Sequence, residues 1–352
     1  MNGVHTPKRL TVSLETAALL PGIAPQGRVS LGSLASAALK GGANGVMLHI
    51  TEDRGLVTET DLRDCALACH LVEAAFNLRM TPATDSVALA LDHRPNAVYL
   101  GAETRVRAMV GAGLSLKFNV NHIHRVISSL GGAGIRTVIC VEPNLDTIEA
   151  ALRAGFEAIE LDTLSLCEAI DSTDLDRLEV ELGRITSLAR YASRHGVEVQ
   201  LGGGLNAHSL SILARLSVVR QINLGRATVA DALIDGMACV VAQAMTTVQA
   251  AGRDQDSYEA RRRRLVYRAT YRGFREMDMI LSSFFRGEEA ALDDPALLIA
   301  ERVLDLPDHG LYDLIRNDLK PDRGLNVSII KQLRAHYRRG IQCPTHIEIH
   351  AQ

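Results

Sequence analysis

No apolar run in the chain approaches the ~18–20 residues that cross a bilayer, so membrane insertion is not expected. The first residues also lack the charged, apolar and small-residue succession of a secretory signal, and the expected location is the cytoplasm. Cysteine is sparse and unpatterned: the 6 cysteines show neither paired C-x-x-C spacing nor the density of a disulfide scaffold. Cys65 and Cys69, four apart, read as a reduced helix face, and no metal site is expected. No tract is dominated by proline or glycine, which excludes a low-complexity chain. Charge of one sign is missing too, and a net charge of −3 argues against a general nucleic-acid binder. Tryptophan is absent and aromatic residues make up only 4% of the chain. The run Arg261–Arg264 has no aromatic platform beside it, and acidic residues follow, so it reads as a solvated first helical turn.

What the chain does have is 352 residues, 47% of them apolar, enough for two domains and one large core. Short apolar runs bounded by turn signals recur at Arg9–Glu15, Gly45–Ile50, Ala74–Arg79, Ala97–Gly101, Thr137–Glu142, Ala158–Thr163, Glu198–Gly203 and Gln221–Gly225. An extra run, Ser115–Val120, lies between the fourth and fifth. Amphipathic helical stretches separate most of them, among them Leu31–Lys40, Asp61–Leu71, Leu145–Ala154 and Leu178–His195. Three helices run into similar phrases, Gly41-Gly-Ala-Asn-Gly, Gly131-Gly-Ala-Gly-Ile and Ala154-Gly-Phe-Glu-Ala, in which glycine ends the helix. Strand–helix alternation repeated about eight times predicts an α/β fold, a closed (β/α)₈ barrel over residues 1–250. An open doubly wound sheet is the alternative.

The stretch Val197–Arg226 carries the sharpest functional signal. Two strands in succession end in glycine, at Gly202-Gly203-Gly204 and at Gly225-Arg226, and each feeds a helix. Glycine lets backbone N–H groups approach a ligand without a Cβ in the way. Two such turns beside helix N-termini make an anion cradle where parallel barrels hold phosphate. The plainer reading is that these are tight-turn glycines only. Other polar residues gather at strand ends, where barrel enzymes keep their chemistry: Glu15, His49, Glu52, Asp53, Arg54, Arg79, Glu103, Glu142, Glu160, Asp162 and Arg226.

Residues 251–257 are small and polar and read as a linker. From Tyr258 to the end basic residues outnumber acidic ones 16 to 14, strand alternation stops, and helices are expected over 258–271, 275–287, 294–304, 309–319 and 326–339. Domain boundaries are therefore placed at 258–340 for a small all-α domain and 341–352 for a tail. The alternation His346-Ile-Glu348-Ile-His350 in that tail reads as a frayed end rather than a metal face.

At Gly42-Ala-Asn-Gly-Val-Met-Leu-His-Ile-Thr-Glu-Asp-Arg the chain resembles the pyridoxine 5′-phosphate synthase family, and the similarity runs on through Phe76-Asn-Leu-Arg-Met, Glu103, Ile159-Glu-Leu-Asp-Thr, Leu201-Gly-Gly-Gly-Leu and Ile222-Asn-Leu-Gly-Arg. That resemblance implies a (β/α)₈ barrel that condenses 1-deoxy-xylulose 5-phosphate with an amino-oxopropyl phosphate to close the pyridine ring of vitamin B6. His49, Glu52, Asp53 and Arg54 match the family's strand-two motif, Glu103 and Glu160 match acidic site positions, and Gly202, Gly204 and Gly225 keep its phosphate turns. The acid–base groups differ. Ser13 and Thr16 stand for the family's asparagine and histidine, Arg79 for its strand-three glutamate, and Gly203 and Arg226 for its late-strand histidines. Each proton transfer by a positioned group contributes about 10²–10⁴ in rate. A site without those groups, and made more cationic by Arg79 and Arg226, is expected to hold an anion and to have lost or altered its catalysis.

The segment Arg261–Gly287 is similar to the succinate dehydrogenase FAD assembly factor family, whose Arg-Gly-x-x-Glu-x-Asp signature is met by Arg272, Gly273, Glu276 and Asp278. Leu304-Asp-Leu-Pro-Asp-His-Gly-Leu-Tyr-Asp-Leu-Ile matches that family's later helix. The resemblance covers about residues 259–339. It implies a chaperone that promotes covalent FAD attachment to the flavoprotein subunit of succinate dehydrogenase or fumarate reductase. Arg272 and Glu276 would present opposite charges on one exposed surface beside a bend at Gly273; an internal cap joining two helices is the alternative.

The resulting expectation is a fusion. A barrel binds a phosphorylated small molecule at Gly202, Gly203, Gly204, Gly225 and Arg226, with Arg54, Arg79 and Glu103 on its rim. It forms a homo-oligomer and holds no cofactor tightly. A helical domain meets the flavoprotein through Arg272, Gly273, Glu276 and Asp278, with FAD involved only through that partner and no nucleic acid bound. The alternatives are an active synthase, or another phosphate-ester lyase or aldolase with His49 and Glu160 as catalytic residues, and a purely structural barrel.

Overall fold

The computed structural model describes residues 7–14, 16–18, 30–51, 57–101, 120–172, 174–254, 258–287, 292, 294–316 and 327–339. Eight strands, β1 (Arg9–Ser13), β2 (Gly45–Ile50), β3 (Ala75–Met80), β4 (Ala97–Leu100), β5 (Arg136–Val141), β6 (Ala158–Asp162), β7 (Glu198–Gly202) and β8 (Val219–Leu224), form one closed barrel in sequence order. Every pairing is parallel, and β8 closes on β1 through the Arg9↔Gln221 to Val12↔Leu224 register. The extra run read at Ser115–Val120 lies outside the described residues except for Val120, which opens a helix.

Helices α1 (Leu31–Lys40), α2 (Glu59–His70), α3 (Thr84–His93), α4 (Val120–Gly132), α5 (Leu145–Arg153), α6 (Leu164–Asp171), α7 (Leu175–Arg194), α8 (Ala207–Leu213), α9 (Arg226–Asp235) and α10 (Met237–Asp254) alternate with the strands or follow them. Their starts are written in local chemistry. Ser30 with Ser33, Thr58 with Asp61 and Asn206 with Ser209 form reciprocal capping boxes on α1, α2 and α8, satisfying N–H groups that the helix itself cannot. Gly131 and Gly132 are the last residues of α4, and the left-handed residue that ends the turn there is Gly134, at φ 76°. Gly42 and Gly155 hold the equivalent places at φ 95° and 82°. Asn44, after the Gly42 turn, and Asn96, after the left-handed Arg94 at φ 45°, stitch neighbouring strands: Asn44 Oδ1 accepts from the Leu10 amide and Asn96 Oδ1 from the Phe76 amide, both at 2.8 Å.

The chain divides into two compact units. The first holds residues 1–171 and 184–255, and the second holds 172–183 and 256–352. α10 continues to Asp254, through the first four residues of the segment read as a linker. The second unit contains α11 (Tyr258–Thr270), α12 (Arg275–Arg286), α13 (Asp294–Val303), α14 (Asp308–Arg316) and α15 (Ser328–Arg338). Its core is Leu265, Met277, Ile280, Leu281, Phe284, Phe285, Leu297, Leu311, Ile330 and Leu333, all buried. The arginine run is not wholly solvated as its composition suggests. Arg261 is buried and donates from Nε and an Nη nitrogen to both Glu301 oxygens, at 3.3 and 2.9 Å. That two-pronged pair fits a guanidinium better than an ammonium, and it ties α11 to α13.

The barrel interior holds several buried polar side chains, among them Thr11, Glu160, Gln200, Gln221 and Asn223. At its N-terminal mouth Glu198 accepts from Arg9 at 2.5 Å, Arg136 at 3.1 Å and Gln200 at 2.9 Å. One layer up, Tyr99 donates its hydroxyl to Gln200 Oε1 at 2.7 Å and accepts from Gln221 Nε2 at 2.6 Å. Gln221 Nε2 also reaches Thr11 Oγ1 at 3.0 Å and Asn223 Oδ1 at 2.8 Å. Met47, Ala97, Val138, Cys140 and Ala158 fill the space beside Tyr99. Buried polar groups hold their cost down only when they are paired, and this ladder pairs them from one layer to the next. Burial raises the Glu198 carboxyl, but the Arg136 hydrogen bond and the charges of Arg9 and Arg136 outweigh it and hold its pKa below the usual 4.5. A carboxylate with a depressed folded pKa stabilises above its unfolded pKa, and that contribution is lost as pH falls through the folded value. The wild-type melting temperature is therefore expected to fall more steeply with acid below about pH 4.5 than that of Glu198→Gln, which starts lower at pH 7; parallel melting profiles from pH 7 to 3 would contradict this.

Candidate functional site

The C-terminal ends of β1, β3, β7 and β8 surround a cavity of about 210 Å³. Ser13, Thr16, Arg79 and Asn223 line one side, Gly203, Gly204, Gly225 and Arg226 another, and Leu164, Cys167, Glu168 and Asp171 of α6 a third. The turn after β7 requires glycine for two reasons. Gly203 and Gly204 have φ of 92° and 71°, a region costly for other residues, and a Cβ on Gly204 would lie 2.9 Å from Leu164 while one on Gly203 would strike the Asp162 carboxylate. Thr163 fixes this turn from behind, donating its hydroxyl to the Gly203 carbonyl at 2.7 Å and the Gly202 carbonyl at 3.1 Å. The carbonyls are thus engaged, and among the described residues no hydrogen bond uses the amides of Gly203, Gly204 or Gly225. Gly225 is the N-cap of α9 and supplies no side-chain cap, so the positive end of that helix also meets the cavity.

Glu160 sits beneath this cavity and is sealed. Its side chain is 4% exposed; Arg79 pairs with Oε1 at 2.5 Å, and Asn223 Nδ2 donates to Oε2. Gly202 does not line the cavity. A Cβ there would come within 2.6 Å of the Glu160 carboxyl carbon, so glycine at 202 makes room for the carboxylate. His49 is buried on β2, in register beside Arg79, and is not among the lining residues. Arg54 and Glu103 fall outside the described residues, as do Glu15, Glu52 and Asp53. The cavity is also less cationic than Arg79 and Arg226 alone suggest, because Glu168 and Asp171 face it. Asp171 accepts from Asn206 at 2.7 Å and lies 3.5 Å from His208. Sequence reading missed these two acids because they belong to a helix, not to a strand end. It also passed over Asn223, visible in the Ile-Asn-Leu-Gly-Arg phrase, and Thr163. Asp162 is raised in pKa, chiefly by burial, while its Oδ1 accepts from the Leu164 amide at 2.8 Å at the start of α6. Burial likewise raises Cys167, to about 11, so it is a thiol at neutral pH.

Among the described residues no group of three or more His, Cys, Asp or Glu side chains could hold a metal, and no helix is long and apolar enough to cross a membrane.

In the helical unit the Arg272–Asp278 segment is folded in on itself. The Arg272 guanidinium donates to the Leu304 carbonyl at 2.8 Å and the Leu306 carbonyl at 3.1 Å, and it pairs with Asp308. Its backbone N–H donates to Asp278 Oδ1 at 2.6 Å, and the Gly273 amide donates to Asp308 Oδ2 at 2.6 Å. The expectation that Arg272 and Glu276 share an exposed surface is thus corrected: the Arg272 side chain is 11% exposed and engaged, and only Glu276 lies open, in the first turn of α12. Phe274 caps that helix and stacks on His309, with ring centroids 5.3 Å apart and planes at 13°, while Tyr312 meets it edge-on at 5.2 Å.

Comparison with known proteins agrees with this division. Residues 10–250 match the family model described as Pyridoxal phosphate biosynthesis protein PdxJ, and residues 263–337 match the one described as Flavinator of succinate dehydrogenase. Pyridoxine 5′-phosphate synthase of Rhodospirillum rubrum is 30% identical over 217 residues, covering 62% of this chain and 85% of the relative. That of Blochmanniella floridana is 30% identical over 196 residues, covering 56% and 77%, and that of Caulobacter vibrioides 29% over 203 residues, covering 58% and 80%. With a closed eight-stranded barrel, glycine turns at its last two strands and a family match over most of its length, this chain belongs to the PdxJ family and carries, after its barrel, a domain that matches the succinate dehydrogenase flavinator.

Proposed function

We propose that the barrel binds a phosphorylated small molecule without the family's acid–base chemistry, and that residues 258–340 act as an assembly factor for the flavoprotein subunit of succinate dehydrogenase or fumarate reductase. The observation that supports the barrel's part is the pairing of Glu160 with Arg79 and Asn223 beneath a cavity walled by Gly203, Gly204 and Gly225. A general base must reach the proton it removes, and a carboxylate clamped by a guanidinium and an amide is held away from one. Backbone amides and a helix N-terminus suit a phosphate, whose charge they meet with fixed dipoles. The active-synthase alternative would need Glu160 or His49 open to that cavity, and neither lines it.

The assembly-factor part rests on the match over residues 263–337, with Arg272, Gly273, Glu276 and Asp278 all present in it. FAD would enter only through the partner, and no cofactor is held by this chain in this reading. Exposed Leu67, Leu71 and Val72 near the end of α2, with Leu233 and Ile234 on α9, offer apolar surface for a homo-oligomer of the barrel.

Phosphate at millimolar concentration is expected to raise the barrel's melting temperature, by up to about 2.7 kcal/mol of stabilisation at a hundredfold excess over Kd. Gly203→Ala is expected to lower the starting melting temperature, through its left-handed backbone, and to abolish the shift; a wild-type chain indifferent to phosphate contradicts the cradle. In cells lacking their own assembly factor, the full chain is expected to restore covalent flavin fluorescence in a compatible succinate dehydrogenase. Glu276→Ala should lose that restoration while its stability changes by less than about 0.5 kcal/mol, as for exposed substitutions generally. No covalent flavin with the wild-type chain refutes the assignment.

A further inference from the structure

Resting on the flavoprotein-binding reading above, we infer that Asp308, outside the Arg-Gly-x-x-Glu-x-Asp signature, is the positioning residue that shapes it. The signature's glycine points to this. The Gly273 φ is not left-handed, so no turn requires glycine there. What requires it is Asp308: a Cβ on Gly273 would stand 2.6 Å from Asp308 Oδ2, the same oxygen that accepts the Gly273 amide at 2.6 Å. The other Asp308 oxygen pairs with the Arg272 guanidinium, whose remaining Nη bonds run to the Leu304 and Leu306 carbonyls just before α14.

One carboxylate therefore holds both the arginine and the glycine of the signature, and Asp278 closes the loop from the other side through the Arg272 amide. Asp308 is itself placed in the first turn of α14, where the helix dipole favours an anion. The lock sets the entry of the chain into α12, with Phe274 stacked on His309 as the N-cap. Glu276 then stands open one turn on, as the signature's exposed charge. Its complement is a basic side chain on the flavoprotein subunit, since a carboxylate on a fixed helix turn is met best by a cation that can donate to it. Arg272, Gly273 and Asp278 act through this geometry.

The test uses the full chain and the flavoprotein subunit of the same organism's succinate dehydrogenase, with binding measured by calorimetry well below the melting temperature. Asp308→Asn and Gly273→Ala are each expected to weaken binding by about tenfold or more, in line with loss of a central interface arrangement. Amide exchange at Gly273 should accelerate in Asp308→Asn while the core amides of α12 and α15 keep their protection. Asp305→Asn, which breaks only the neighbouring Arg268 pair at 2.6 Å, is expected to bind as the wild type does. Should Asp308→Asn fail to fold, Gly273→Ala still decides, because it displaces the carboxylate without removing it. Binding within about twofold of wild type in both variants overturns the inference, as does unchanged exchange at Gly273 in a folded Asp308→Asn. A wild-type chain that does not bind the subunit refutes the flavoprotein reading, and with it the role assigned to Asp308.

Discussion

A carboxylate deep inside a barrel must be paired, and the pairing of Glu160 governs this one. A lone buried charge costs several kcal/mol, and removing one partner of a buried pair typically costs about 3–5 kcal/mol. Arg79 and Asn223 meet that demand from β3 and β8, and Gly202 clears the space on β7. The ladder below, from Asn223 through Gln221, Tyr99 and Gln200 to Glu198, keeps each partner in its orientation. A site arranged in this way is stable as an ion pair and poor as a proton relay. The glycine turns above it depend on other contacts, chiefly the Thr163 hydroxyl on the Gly202 and Gly203 carbonyls, so their shape does not rest on the Glu160 pair.

The helical unit follows the same rule with a different outcome. Arg272 and Asp308 are partly buried charges, and each is satisfied within the unit. Their bonds spend the most polar part of the signature on shape and leave Glu276 outside. In both units the residues that look most reactive in the sequence are the ones most engaged in holding the fold.

The barrel was legible because strand and helix periods alternate cleanly, and its strands were placed to within a residue or two at most ends. The five later helices were legible from composition and from the end of strand alternation after Tyr258. The glycine turn after β7 could be read because Gly203 and Gly204 occupy a conformation that few other residues adopt. What could not be read were pairings between distant residues. Nothing near Arg79 in the sequence indicates that it faces Glu160, nothing near Arg272 announces Asp308, and the burial of Arg261 depends on Glu301 forty residues on. The phrase Gly131-Gly-Ala-Gly134 ends its helix as read, with α4 closing at Gly132 and the left-handed turn falling at Gly134.

The central claim, that pairing Glu160 with Arg79 removes the barrel's acid–base chemistry, is tested most directly by supplying the purified chain with 1-deoxy-xylulose 5-phosphate and the amino-oxopropyl phosphate and measuring pyridoxine 5′-phosphate. No turnover above background is expected. Turnover in the range of about 1–10³ s⁻¹ common to enzymes would contradict it.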